Sequence, residues 1–407
     1  MVAVAQVDTV QITSMDGTPA DTTYILKVGG RTISVVGDTD EDTTATNLAA
    51  AWEASTQPEF VEVAASATTD TVTLTANTAG VEFVAVSSVS GGAGTIGAVT
   101  AVTANAGPNV WAAGNFTIAG VTAEALPEGG DTVVFENNNV DCLYGLDQNA
   151  VTLLLMVQYK SFTGRLGLPR WNDGGYAEYR DQYLKISATT LELQKGAGSG
   201  SGRWKQNLGT VQTAATVYGN ATRAEAGIPT VLLLGTHVAN VLNIEGAADV
   251  GVAFFGGEVS TIATVTMGEG TSGRLVLGET STLATVNVRG GTVEASNNVT
   301  TINQTAGTMT LRAAATVTNW TVDGGTAYYN SSGTATETIN VGGGGILDFR
   351  GNQSARTVAN ANIFSGGAIH DPNKTVTWTN GIDMQRCGEL GVTLNTGEHQ
   401  TVSYSAI

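Results

Sequence analysis

The chain has 407 residues, a formal net charge of −18, 52 glycines, 7 prolines and a charged fraction of only 13%. That acidity excludes nucleic-acid binding through a basic surface and disfavours docking on anionic membranes. An apolar fraction of 42% at recurring positions excludes disorder. Thr and Val favour pleated, half-buried surfaces and Gly and Asn favour tight turns, so many short strands are expected.

Residues 1–105 read as one unit, with Lys27 and Arg31 as its basic residues. Apolar alternation marks strands at Val10–Ile12, Tyr24–Val28, Thr32–Val35 and Val72–Thr75. Gly29-Gly30 is a two-residue hairpin signal between two of them. Between strands, Asp40–Glu53 opens with acidic and Thr residues, as a helix N-terminus does. Leu48, Ala51 and Trp52 fall on one helical face. The pattern predicts a small ββαβ-type α+β domain. The first residues lack a basic segment followed by an apolar core, so no signal peptide is expected. No apolar run has the length of a membrane span.

A joint at Gly107-Pro108 leads to residues 106–235, read as the start of a β-helix. Trp111 is expected to cover the open end of the coil, and Gly130-Asp131 to launch the first strand. Within this region, about 142–185 reads as an insertion packed on the coil. It holds Tyr144, Tyr159, Tyr176, Tyr179 and Tyr183 together with Lys160, Arg165, Arg170 and Arg180.

From 236 to 383 a repeat appears. The central apolar residues Val265, Val286, Ile302, Trp320, Ile339 and Val358 differ in position by 21, 16, 18, 19 and 19. A second series, Leu275, Val293, Met309, Ala327 and Ile346, keeps step with it. This is the signature of a solenoid with at least two short strands per coil. Asn and Thr beside the turns are placed to form polar ladders between coils. A coil of this length is short for a three-sided monomer. It predicts either a two-sided coil or a trimeric stack with a shared core. Residues 384–407 are expected to cap the open edge.

Chemical motifs are sparse. Gly92–Gly97 matches GxGxxG, but the strand-like Ala98–Thr103 follows where a dinucleotide site needs a helix. Gly342–Asp348 matches calcium-binding nonapeptide repeats only once. His237, His370 and His399 lie in no nucleophile or zinc context, and His370-Asp371-Pro372 reads as a structural turn. Cys142 and Cys387 fit two buried thiols better than one long-range disulfide. No catalytic, cofactor or metal residue is assigned. The strongest candidate cluster is Trp171, Tyr176, Glu178, Tyr179, Asp181 and Tyr183, as glycan or interface contacts. Its aromatics suit sugar stacking, and paired carboxylates would suit a depolymerase. The structural alternative packs the tyrosines away and pairs the acids with Arg165, Arg170 and Arg180.

Tyr24–Val36, Thr43–Trp52 and Val72–Gly80 resemble small ββαβ-type domains of bacteriophage virion and tail proteins. Gly227–His237, the repeats and Val376–Asp383 resemble β-helical proteins of phages and some environmental bacteria. The resemblance implies a non-enzymatic structural protein on the virion surface, foremost a capsid decoration protein docked through residues 1–105. A receptor-binding tail fibre and a polysaccharide depolymerase are the alternatives. Implied partners are copies of itself in a homo-trimer, major capsid or tail subunits and a host surface glycan. No cofactor, nucleic acid or membrane insertion is expected.

Overall fold

The structure, a computed structural model, describes residues 1–118, 121–172, 174–219, 221–333, 335–385, 391–397 and 402–405, with only the backbone described at 19, 335, 336, 404 and 405. Strands make up 47% of the chain and helices 6%, so the class is mainly β. Two compact units form. The first comprises 1–126, 140–147 and 165–184, and the second 127–139, 148–164 and 185–407. The body of the second is a parallel β-solenoid of about 12 turns, preceded in sequence by the small α+β module.

In the first unit, strands β1 (Val7–Ser14), β2 (Thr22–Val28) and β3 (Arg31–Val36) precede helices α1 (Glu41–Glu53) and α2 (Pro58–Val61). Strands β4 (Val63–Thr68), β5 (Thr71–Ala76), β6 (Ala85–Gly91), β7 (Thr95–Ile96) and β8 (Thr100–Thr103) follow. One antiparallel sheet runs β4-β5-β1-β7, with β8 also on β1, and a second runs β3-β2-β6. The Gly29-Gly30 hairpin forms, with Val28 facing Arg31 and Gly29 at φ +57°. Asp40 caps α1 by accepting from Thr43 N at 2.7 Å. The buried face of α1 is Thr44, Ala45, Leu48, Ala49 and Trp52, whereas Ala51 is half-buried. Trp52 sits edge-on to Phe60 at 4.7 Å, and its Nε1 donates to Val63 O at 2.7 Å. Val10, Ile12, Tyr24, Leu26, Val72 and Leu74 complete the core. A strand follows Gly92–Gly97, as the sequence indicates.

The solenoid starts earlier than the recognisable repeat. Thr132–Phe135 pairs in parallel with Leu155–Gln158 of the strand Asp147–Tyr159. Thr190–Leu193 then pairs with Ala214–Val217, and those with Val241–Ile244. The segment read as one Tyr/Arg-rich insertion is therefore two things. Residues 148–164 supply a long coil strand, and 165–184 belong to the first unit. Trp111, expected over the coil end, also belongs to the first unit, buried edge-on against Phe116 at 4.8 Å. The early coils instead gather Phe135, Phe162 and Trp204, at 5.1 Å from Phe135 to each of the others.

Each mature coil has three short runs. Ser260–Met267 pairs residue by residue with Ser281–Val288, except at Ala263 and Ala284. Burial alternates on either side of this gap, but Ala263-Thr264 and Ala284-Thr285 are consecutive outward pairs. The strand turns a corner there without spending turn residues. In a later coil the same path is divided into Val376–Trp378 and Ile382–Gln385. A third run, such as Arg274–Leu277, pairs only with other third runs. Three faces thus fit in a coil too short for three separate turns, and the core closes within one chain. The shared trimeric core expected as one option is not needed.

Val265, Val286, Ile302, Trp320 and Ile339 form one buried inward ladder. The next rung is Ala361, because Val358 lies before the corner and follows Thr336 on the first face. In the second series Ala327 is followed by Leu347, and Ile346 pairs with Thr326 on the outer side. The outer surface of the second face is uncharged over six coils, from Thr264 and Thr266 to Asn360 and Asn362. Its amides bond between coils, Asn303 to Asn287 at 3.0 Å and Asn362 to Asn340 at 2.8 Å. In the expected cap, Thr393–Asn395 and Val402–Ser405 continue the parallel ladders instead of crossing them.

Candidate functional site

The six residues singled out in sequence do not form an open site. Glu178 is buried, and its oxygens accept from Arg180 Nε at 2.7 Å and Nη2 at 3.1 Å. Arg180 is buried too; its Nη1 donates to Glu82 O at 3.1 Å and lies 3.4 Å from Glu62 Oε2. Desolvation alone would lower the Arg180 pKa, but its bond to Glu178 and the surrounding negative charge drive it upward. Tyr176 donates its hydroxyl to Glu62 and stacks on Tyr179 with centroids 6.3 Å apart. Burial drives the pKa of both phenols upward. Tyr183 is buried, while Trp171, 59% exposed, and Asp181 face solvent. Asp173, between them, lies outside the described residues. The cluster packs a returning segment within its unit; it does not line a groove.

This packing has a backbone condition. At Gly29 an added Cβ would stand 2.6 Å from Tyr179 Cβ. Glu82 accepts from Gly145 N at 2.9 Å in the same unit, and burial raises its pKa against that bond.

Cys142 is a free thiol whose pKa burial pushes up to about 12. Cys387 and His399 lie outside the described residues. Asp371 accepts from Thr375 N, Thr375 Oγ1 and Val376 N at 2.9, 2.8 and 2.9 Å, so this turn is structural. Asp348, the end of the Gly-rich match, is held in a two-pronged fork by Arg350 at 2.6 to 3.0 Å. Among the described residues no group of His, Cys, Asp or Glu has metal-ligand geometry.

A different set of side chains gathers on the third face of the solenoid. The outward column runs Val276, Glu294, Thr310, Tyr328, Asp348 and His370, one residue per coil. Beside it runs a chain of ion pairs: Arg223 to Asp249 at 2.5 Å, Asp249 to Arg274 at 3.8 Å, Arg274 to Glu294 at 3.2 Å and Glu294 to Arg312 at 2.8 Å. Burial of Asp348 works against ionisation, but Arg350 holds its pKa below the usual carboxylate value.

Comparison with protein-family models, curated proteins and solved structures finds no match to this chain.

Sequence reasoning missed this column because its members differ in chemistry. The available signal was positional: Glu294, Thr310, Tyr328, Asp348 and His370 follow the same coil spacing as the inner ladder. Among the described residues no helix is long and apolar enough to cross a membrane.

Proposed function

We propose that the chain is a structural, non-catalytic protein of a bacteriophage particle, foremost a capsid decoration protein. Residues 1–105 are its docking module and the solenoid is the displayed body. The observation that supports this reading most is the ladder itself. Coil after coil is joined by backbone pairing, a closed apolar interior and amide-to-amide bonds on an uncharged face. Such a body is a quasi-one-dimensional stack whose rigidity needs no ligand. The carboxylate Glu178, which a depolymerase reading would use, is occupied by Arg180.

Because each coil closes its own core, a homo-trimer of this chain associates through outer faces. The uncharged Thr/Asn face suits that role, since no net repulsion opposes like surfaces there.

The test is a truncation starting near Trp111, mixed with particles that lack the native protein. The full chain decorates them and the truncated chain does not. Equal binding by both would place the anchor outside residues 1–105. Absence of the labelled full chain from imaged particles would remove the virion assignment altogether.

A further inference from the structure

In every ion pair of the third face, the arginine is the exposed partner. Arg312 is 53% exposed against 18% for Glu294, and Arg350 is 59% against 5% for Asp348. Arg223 and Arg274 stand in the same relation to Asp249. Four guanidinium groups face three carboxylates, so solvent meets local positive charge on a chain whose net charge is −18. The acids hold the arginines in place without covering them.

Donors remain to be used. Arg350 spends Nε and Nη2 on Asp348, leaving Nη1, and neither Nη of Arg312 makes a hydrogen bond among the described residues. Tyr328 stands in the column between these arginines, 36% exposed, with no hydrogen bond on its hydroxyl among the described residues. Rungs of a parallel sheet are about 4.8 Å apart, so Glu294 to His370, four steps, spans about 19 Å. That length suits an extended polymer and exceeds a single sugar.

We infer that this stripe binds an acidic, carboxylate-bearing polysaccharide along the solenoid axis. Guanidinium forks match carboxylates in shape and charge. An exposed phenol offers a flat apolar ring with a polar tip, which suits the apolar face and hydroxyls of a sugar. The net charge of the chain opposes every polyanion alike, so the local guanidinium groups must carry the contact, and the phenol favours a sugar polymer with its apolar face and hydroxyls. The inference does not depend on the particle assignment, because the stripe lies wholly within the solenoid.

The experiment is calorimetric titration of the full chain with six-sugar oligomers of galacturonate, mannuronate and sialate, with maltohexaose as the neutral control. At least one acidic oligomer binds, the neutral one does not, and added salt weakens the complex. Arg312→Gln and Tyr328→Ala each lower affinity by about tenfold while the melting temperature stays within about 2 °C of the parent, since both side chains are solvent-facing. Failure of all three acidic oligomers to bind overturns the inference. Unchanged affinity in both variants overturns it too, as does equal or tighter binding of an oligothymidylate of matched charge.

Discussion

Ile302 is the most informative single position in the solenoid. It is fully buried on the inward ladder, with Val286 on one side and Trp320 on the other. Ile302→Ala removes apolar contact from a closed interior, which costs about 2–5 kcal/mol including the cavity left behind. Ile302→Asp adds a carboxylate with no cation on its ladder, and an unpaired buried charge costs several kcal/mol more. Total stabilities are about 5–15 kcal/mol, so the alanine chain stays folded and the aspartate chain loses its middle coils. A stack of nearest-neighbour coils need not fail as a whole, since interfaces between distant coils are untouched. Hydrogen exchange read by mass spectrometry locates the damage. Protection falls first at Thr285–Val288 and Asn319–Val322, the two flanking rungs. A melting temperature for Ile302→Asp within about 2 °C of the parent, or full protection at both rungs, refutes the inward ladder.

Two further outcomes test the first unit. Gly29→Ala meets both a positive φ and the Tyr179 Cβ, and lowers stability by about 1–3 kcal/mol in chemical denaturation; a neutral result removes the close approach. Glu82→Gln tests the buried carboxyl. Its folded pKa is raised, so the fold prefers the protonated form, gains stability as pH falls through that raised value, and carries the cost of ionisation above it. The glutamine chain therefore melts higher than the parent at pH 7, and the gap narrows towards pH 4. A gap that widens in acid contradicts the assignment.

The solenoid was legible because its inner positions are chemically uniform. Val265 through Ile339 needed only a count, and the count held until the coil lengthened. It then slipped at Val358 and Ile346, where the corner and an added glycine changed the phase by a few residues. The early coils were hidden for another reason. Val151–Tyr159 is nearly continuous in apolar residues, and the tyrosines around it drew attention as surface chemistry. The tyrosine-rich cluster was misleading in the same way. Tyr176, Tyr179 and the acids beside them look like a sugar site in one dimension, whereas Glu62, Gly29 and Glu82, which meet Tyr176, Tyr179 and Arg180, lie more than eighty residues away. The third-face column was invisible because Tyr328 and Asp348 gain meaning only when coils are superposed.

The corner made without turn residues separates what can change in length from what cannot. From Ser260–Met267 to Arg356–Ile363 the first two runs of each coil are welded into one bent strand, while the other two corners are made by loops that range from Arg289–Gly291 to Phe349–Ala355. Insertions and deletions acquired in descent can accumulate at those two corners and leave the bent strand in register. The same two corners are where foreign peptides can be grafted, so the fold doubles as a ruler carrying interchangeable tabs along two of its edges.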